Sequence, residues 1–239
     1  MSPQCWIDIP DGLIDQPREI RFTGLSSGIA QLRSWLHSAD GSRWESQAQF
    51  VIDEQGELDL SRTAPQAGDW SSADAMALVW SMRQILPPTT SPVQENLAAQ
   101  RVELQVTDAQ GQKVSAAFLQ HYLAPGVERR EISEAGISAT LFLPAGNQPS
   151  ALVIVLNGSG GGTPEQRAAL YAAHGYSALA LAYFKAPGRA EHISDTPLEY
   201  FQQALEWAAS TLKPRNDFIA VAGLSRGGEL ALLLGSRFP

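Results

Sequence analysis

The chain has 239 residues, of which 44% are hydrophobic and 18% charged, so it holds enough apolar material for one large or two ordinary globular domains. Its net charge of −8 argues against nucleic acid and anionic membranes as partners, because both carry negative charge themselves. A single cysteine, Cys5, excludes an internal disulfide and a cysteine-based metal cage.

The amino-terminal segment has neither the basic region nor the apolar stretch of a signal peptide. No apolar run is long enough to cross a membrane, and the one at residues 151–156 suits a buried strand. We therefore expect a cytoplasmic protein with no membrane partner.

In the first half of the sequence, apolar and polar residues alternate with a period of two. Val102, Leu104 and Val106 alternate with polar neighbours, and residues 44–52 show the same pattern. Such alternation buries one face of an antiparallel sheet and leaves the other face in water. Further strands are predicted at residues 19–23, 31–37, 75–82 and 114–123, and the proline-rich residues 87–92 are predicted to be a loop. Several short strands at this spacing predict a β-sandwich domain over residues 1–126.

Beyond residue 126 strands alternate with helices. Strands are predicted at residues 131–133, 137–143, 151–156, 177–182 and 218–222, the first two meeting at Ala135-Gly136. Thr163 and Thr196 each precede a proline and are predicted as N-caps, and Gly175 is placed to end the first helix. The second helix shows an apolar stripe at Leu198, Phe201, Leu205, Ala208 and Leu212. This alternation predicts a parallel α/β sheet within residues 127–239.

The last predicted strand runs directly into Gly223-Leu224-Ser225-Arg226-Gly227, which is followed by an apolar helix. This G-x-S-x-G sequence lies between a strand and a helix, the context in which the motif presents a nucleophilic serine at a sharp turn. Gly223 and Gly227 are the predicted elbow glycines, because only small neighbours let strand and helix approach. The alternative is a glycine-rich turn whose serine merely caps the helix.

A nucleophilic serine also needs hydrogen-bond donors for the oxyanion that forms during attack. One predicted donor is the backbone N–H of Arg226. The other is predicted from the loop after residues 151–156, where Ser159 or Gly160 is favoured within a run of glycines. A flexible loop or a phosphate cradle is the alternative, but the run lacks both the dinucleotide fingerprint and a following Lys-Ser/Thr pair.

A base for the serine is harder to find. His37 and His121 are predicted as half-exposed strand residues, His174 ends a helix, and His192 lies in a loop, with a role at the site as its open alternative. In α/β-hydrolases the acid and the histidine follow the nucleophile in chain order, yet no histidine follows Ser225. Glu229 follows the elbow too closely to be the acid. We therefore expect a catalytic triad that this chain does not complete, and negligible turnover by the chain as it stands.

Several segments together resemble the acyl-CoA thioesterase and bile acid-CoA:amino acid N-acyltransferase family. They occur in the family's order from about residue 10 to the end of the chain. They comprise residues 44–50, 56–60, 77–82, 141–144, 158–162, 178–184, 198–201 and 223–229.

The resemblance implies a β-sandwich domain followed by an α/β-hydrolase domain that is truncated after the elbow, since family members are longer. It also implies acyl-CoA as substrate, hydrolysed to free acid and CoA through an acyl-enzyme on Ser225, with no cofactor and no metal. Serine at the elbow marks the thioesterase branch, whereas cysteine marks the conjugating branch. Arg226 stands where many members have lysine, which leaves the backbone donor intact.

Two other interpretations remain open: an ester or lactone hydrolase of the same fold, and a non-catalytic remnant that serves as a binding module. A sheet edge and last helix without partners would expose apolar surface around residues 232–234, so we also expect self-association through this edge.

Overall fold

The computed structural model describes residues 2–89, 97–146 and 148–238. The chain forms two compact units, and the division between them falls between His121 and Tyr122. Residue 97 belongs to the second unit. The predicted loop at residues 87–92 lies partly outside the described residues.

The first unit is built almost entirely of strands. Its elements are β1 (Gln4–Ile7), β2 (Asp11–Leu13), β3 (Ile20–Thr23), β4 (Gly28–His37), β5 (Arg43–Ile52), β6 (Leu58–Asp59), β7 (Ala67–Gly68), α1 (Ala77–Trp80), β8 (Arg83–Leu86), β9 (Gln100–Thr107) and β10 (Lys113–His121). Among the described residues they form one sheet of order β1-β3-β6 and a second of order β2-β10-β9-β4-β5-β7, with β8 also paired to β5.

The alternation of the first half is confirmed as an inward and an outward face. Val102, Leu104 and Val106 are fully buried on β9, while their neighbours along the strand are at least partly exposed. Phe50 on β5 and Phe22 on β3 enter the same hydrophobic core. Strands of both sheets therefore bury their apolar faces in one core.

The strand predicted at residues 75–82 is wrong, because α1 occupies its centre. Its continuous apolar run cannot be distinguished from a buried helix by periodicity alone. The carboxylate of Asp74 accepts a hydrogen bond from the backbone N–H of Met76 at 2.8 Å, which supports the turn that starts the helix. The carbonyl of Leu78 accepts hydrogen bonds from the hydroxyls of Ser34 and Ser46, each at 2.7 Å. This buried carbonyl therefore has hydrogen-bond partners without belonging to a sheet.

The second unit is a mixed sheet covered by helices. Its elements are β11 (Glu128–Ile132), β12 (Ala139–Leu143), β13 (Leu152–Leu156), α2 (Glu165–Ala173), β14 (Ser177–Leu181), α3 (Leu198–Leu212), β15 (Ile219–Gly223) and α4 (Arg226–Arg237). The strand order is β11-β12-β14-β13-β15. As predicted, β13 runs parallel to both β14 and β15, but β11 and β12 add an antiparallel hairpin that makes the sheet mixed.

Strand β13 is buried on both faces, as its unbroken apolar sequence predicts. Leu152, Ile154 and Leu156 enter the core under α3 and α4, whereas Val153 and Val155 enter the core under α2. The predicted stripe of α3 is confirmed as its packing face, with Phe201 and Ala208 buried. Because β13, β14 and β15 are parallel, their carboxyl ends meet at one edge of the sheet.

Both predicted N-caps are wrong. Helix α2 begins at Glu165 after Pro164, and α3 begins at Leu198 after Pro197, in neither case with a capping side chain. Pro164 and Pro197 themselves take the N-cap position with non-helical backbone, so each helix begins one residue later than predicted and each threonine lies outside it. The hydroxyl of Thr196 donates instead to the carbonyl of Ile193 at 3.2 Å. Gly175, with φ of 90°, follows the end of α2 as predicted.

The last helix is only partly covered. Leu232 is 80% exposed and Leu233 is 44% exposed, but Leu234 is 3% exposed and packs into the core, contrary to its predicted exposure. Among the residues that the structure describes, no helix has the length and apolar character needed to cross a membrane.

Candidate active site

The turn between β15 and α4 holds Ser225 in an unusual backbone conformation. Its φ of 54° and ψ of −121° lie outside the common regions for a residue with a side chain. The carbonyl of Ser225 accepts the N–H groups of Gly228 and Glu229, so the residue is bonded into the first turn of α4. The strained serine is therefore held from the helix side.

The two glycines that flank Ser225 leave no room for a side chain. A Cβ on Gly223 would lie 2.0 Å from the carbonyl oxygen of Gly227, and a Cβ on Gly227 would lie 2.5 Å from the carbonyl oxygen of Asn157. Both separations are far below van der Waals contact. The glycine spacing of the motif thus follows from the closeness of helix to strand and of helix to the neighbouring loop.

Ser225 lies beside the loop that follows β13, which we call the amide loop (residues 157–162). A Cβ built on Gly158 would be 3.1 Å from Cβ and 3.6 Å from Oγ of Ser225. The structure therefore brings together the serine and the glycine run, as their positions after parallel neighbouring strands lead us to expect. Ser225 is exposed, and within residues 2–89, 97–146 and 148–238 its Oγ has no hydrogen-bond partner.

The side chain of Asn157 holds the amide loop closed. Its Oδ1 accepts the backbone N–H of Gly158 at 3.0 Å, and its Nδ2 donates to the carbonyl of Gly161 at 2.7 Å. The N–H of Gly161 donates to the carbonyl of Gly158, which completes a tight turn. The hydroxyl of Tyr183, at the end of β14, donates to the carbonyl of Asn157 at 2.7 Å.

These bonds leave particular amides available. The N–H groups of Gly158, Gly161 and Gly162 are engaged, the last with the carbonyl of Phe184. No hydrogen bond among the described residues uses the N–H of Ser159 or Gly160, or that of Arg226 at the first position of α4. The three backbone groups predicted as oxyanion donors are thus without a hydrogen-bond partner among the described residues.

The four histidines lie on different elements of the chain. His37 is exposed at the end of β4, and His121 on β10 contacts Asp11 with 2.6 Å between Nε2 and Oδ1. His174 follows α2, and because α2 returns the chain to the start of β14, it lies at the opposite edge of the sheet. His192 is exposed in the loop between β14 and α3, on the same edge as Ser225.

Charges near the serine pair with each other. Nη1 of Arg226 lies 2.7 Å from Oε2 of Glu229, one turn further along α4, and both side chains are exposed. Among the described residues no group of three or more histidine, cysteine, aspartate or glutamate side chains is arranged to hold a metal ion.

Sequence reasoning missed the roles of Asn157 and Tyr183. Asparagine directly before a run of glycines is the available signal, because its amide can bond to the backbone of a following turn. Burial raises the pKa of Tyr183, so its hydroxyl keeps the proton that it donates to Asn157. No sequence pattern pairs the end of one strand with the first residue after another.

A serine on a strained strand-to-helix turn, at the carboxyl edge of a sheet of this order, defines an α/β-hydrolase-type domain. Comparison with known proteins identifies the family. Residues 15–134 match the family described as "Acyl-CoA thioester hydrolase/BAAT N-terminal region", and residues 196–239 match "BAAT / Acyl-CoA thioester hydrolase C terminal". The chain belongs to this acyl-CoA thioester hydrolase/BAAT family.

Individual relatives agree with the family assignment. The chain is 35% identical to "Acyl-coenzyme A thioesterase 6" of Mus musculus over 97% of its own length and 55% of the relative's. It is 34% identical to "Acyl-coenzyme A thioesterase 2, mitochondrial" of Mus musculus over 97% of its length and 51% of the relative's. The chain therefore spans about half the length of these relatives.

A solved structure, "Pyrobaculum calidifontis esterase monoclinic form", is similar with 27% identity and a TM-score of 0.36, over 46% of this chain and 40% of its own.

Proposed function

We propose that this chain carries the nucleophile and oxyanion donors of an acyl-CoA thioesterase, which cleaves fatty acyl-CoA to free acid and CoA. The observation that carries the proposal is the strained Ser225 placed against the amide loop, in a chain of the acyl-CoA thioester hydrolase/BAAT family. Serine rather than cysteine at the elbow favours water as the acyl acceptor.

The proposed reaction proceeds in two stages. Oγ of Ser225 attacks the thioester carbonyl carbon, and the carbonyl oxygen becomes an oxyanion as a tetrahedral intermediate forms. Collapse of this intermediate breaks the carbon–sulfur bond and releases CoA, whose sulfur takes up a proton. Water then attacks the resulting serine ester, which frees the carboxylic acid and restores the hydroxyl. We assign no residue of the described chain as the base that takes the proton of Ser225.

Of the two loop donors that we propose, Ser159 fits better than Gly160. The N–H of Ser159 directly follows Gly158, the loop residue that contacts Ser225. A Cβ on Gly160 would have no atom within 4 Å, so Gly160 lies at the open tip of the turn. The N–H of Ser159 and that of Arg226 therefore form the proposed oxyanion hole.

Covalent capture of the acyl group tests the proposal without requiring rapid turnover. The purified protein is mixed with palmitoyl-CoA, and its intact mass and tryptic peptides are followed while released CoA is measured with a thiol reagent. We expect a palmitoyl adduct on the peptide containing Ser225 and one CoA released per adduct. Ser225→Ala should abolish both, whereas Ser236→Ala, a control on the same helix, should retain both. Equal CoA release by wild type and Ser225→Ala would reject the assignment.

The same experiment separates the other interpretations. Faster acylation by p-nitrophenyl butyrate than by acyl-CoA would indicate an ester hydrolase, because fold and elbow alone do not set the substrate. Tight acyl-CoA binding without acylation would indicate a binding module.

For the first unit we propose a β-sandwich over residues 1–126, supported by two sheets that share one core. The cytoplasm stays our prediction for the compartment, although the names of similar proteins include mitochondrial and peroxisomal locations.

A further inference from the structure

A groove of about 340 Å³ lies beside the elbow, between the first turns of α3 and α4. This volume is within the range of small-molecule sites, roughly 300–1,000 Å³. Arg226, the residue directly after Ser225, lines the groove, so one side of it begins next to the proposed nucleophile. Its apolar wall consists of Tyr183, Ile193, Leu198, Phe201, Leu230 and Leu233.

The groove combines a packed floor with an apolar rim that is open to water. Phe201 is 1% exposed and meets the ring of Tyr183 edge-on, with 5.5 Å between the ring centres. On the rim, Ile193 is 37% exposed and Leu233 is 44% exposed. The floor cannot collapse into the groove without breaking this ring packing. An apolar ligand that covers the rim would remove its hydrophobic surface from water, which is energetically favourable.

The charged residues of the groove do not change this character. Arg226 and Glu229 form an ion pair with each other, which keeps both charges at the surface, and Asp195, the third charged residue of the lining, is exposed to water. The CoA half of the substrate carries amides and phosphates, which need polar partners that the wall does not offer. The acyl half is a hydrocarbon and matches the wall.

We infer that this groove binds the acyl chain of the substrate, with the carbonyl carbon at Ser225 and the chain running along α4 toward Leu233. The inference rests on the proposed thioesterase function and adds the place where the substrate's hydrocarbon is held. Tyr183 contributes to both the groove and the amide loop, because its ring forms part of the groove floor while its hydroxyl holds the loop.

Binding of non-hydrolysable analogues tests the inference independently of catalysis. The probes are S-butyl-CoA and S-dodecyl-CoA, thioethers that lack the reactive carbonyl, titrated into the protein by calorimetry. Each methylene that the groove removes from water should tighten binding roughly fourfold. Leu233→Asp should weaken S-dodecyl-CoA binding about tenfold or more, because a carboxylate then faces the chain, and should change S-butyl-CoA binding less than about twofold.

Leu232→Asp is the matched control, since Leu232 is the neighbouring residue on α4, is 80% exposed and does not line the groove. It should bind both thioethers as the wild type does. The inference is overturned if the two variants behave alike, or if the wild type binds both thioethers equally. Chain-length-dependent binding that Leu233→Asp removes, without acylation of Ser225, would reject the proposed function and keep the groove assignment.

Discussion

The hydroxyl of Tyr183 donates a hydrogen bond to the backbone carbonyl of Asn157 across 2.7 Å, and so ties the end of β14 to the first residue after β13. Asn157 in turn holds both ends of the tight turn that contacts Ser225. The geometry of the proposed oxyanion hole therefore depends on the phenol of Tyr183 through its bond to the amide loop.

Removal of this hydroxyl should loosen the loop while the fold persists. We expect Tyr183→Phe to lower the free energy of unfolding by about 1 kcal/mol, as for a typical lost hydrogen bond, and to slow acylation of Ser225. Urea unfolding and the palmitoyl-CoA mass assay measure the two effects. Tyr176→Phe, at an exposed tyrosine of the same unit, is the control and should change neither. An acylation rate equal to wild type in Tyr183→Phe would show that the loop keeps its shape without the bond.

Two glycine-to-alanine substitutions within one short segment should change the free energy of unfolding in opposite directions. Gly223→Ala should destabilise the protein by about 3 kcal/mol or more, because its Cβ would lie 2.0 Å from the carbonyl oxygen of Gly227. Gly235→Ala, inside α4, should stabilise by up to about 1 kcal/mol, because its Cβ meets no atom within 4 Å and alanine favours helix. Thermal unfolding followed by circular dichroism separates them. Equal effects of the two substitutions would contradict the close approach.

An ion pair at the start of α2 joins the exposed Arg129 to the buried Glu165, and stability should respond to the loss of its cation. Nε and Nη2 of Arg129 lie 2.8 Å from the two carboxylate oxygens of Glu165, which also accepts the hydroxyl of Thr140 at 2.9 Å. These hydrogen bonds raise the pKa of Arg129. Arg129→Met should cost roughly 2 kcal/mol or more, somewhat less than for fully buried pairs, because it leaves the carboxylate of Glu165 without its cation.

Two further variants identify the cause of that effect. Arg130→Met, next in sequence, removes an exposed partner of an exposed glutamate and should leave the unfolding midpoint unchanged. The double variant Arg129→Met with Glu165→Leu should recover much of the lost stability, since no unpaired charge then remains buried. Failure of the double variant to recover stability would mean that packing, not charge, explains the loss.

The thiol of Cys5 should make stability fall in alkaline solution. Burial raises its pKa to about 12, whereas a thiol in an unfolded chain titrates near about 8.5. Between these pH values the unfolded chain has lost the proton and the folded chain retains it, so unfolding releases a proton and stability decreases as pH rises. Urea midpoints measured from pH 7 to 11 should therefore decline less steeply in Cys5→Ala. Parallel decline in both proteins would exclude the thiol as the cause.

The uncovered end of the second unit should promote self-association. Phe218 is 58% exposed beside β15, the last strand in the order of the described sheet, and Leu232 is 80% exposed on α4. We expect the weight-average mass in sedimentation equilibrium to rise with protein concentration. Leu232→Asp should weaken this association roughly tenfold or more, whereas Val51→Asp, at a 58% exposed position of the first unit, should not. A wild-type mass that stays at 25.8 kDa at all concentrations would contradict the prediction.

The elements that sequence reasoning predicted well are those with a repeating pattern. Period-two runs predicted β5, β9 and β10, and the unbroken apolar run predicted β13, because burial on one face or two leaves a direct mark on residue choice. The strand predicted at residues 75–82 failed, since the run of six apolar residues at 75–80 fits a buried helix equally well. Short strands such as β1, β2 and β8 were missed, because three or four residues are too few to show a period.

The same contrast holds at the site. The position of Ser225 beside the glycine run follows from motif and strand order, both of which are local in sequence or fixed by topology. The bond from the hydroxyl of Tyr183 to the backbone carbonyl of Asn157 joins residues 26 positions apart, and no spacing rule relates them. The caps at Thr163 and Thr196 were misplaced by one residue, because each helix begins after its proline rather than at it.

The double burial of β13 also bears on how the second unit opens. All five of its residues are buried, and it is hydrogen-bonded on both sides by parallel strands. Its amides should therefore exchange with solvent deuterium only when the whole unit unfolds, whereas amides of the outer strand β15 exchange through smaller openings. Asn157 directly follows β13, the segment that we expect to exchange most slowly. The amide loop is thus attached, at one end, to the part of the unit that we expect to resist local unfolding most strongly.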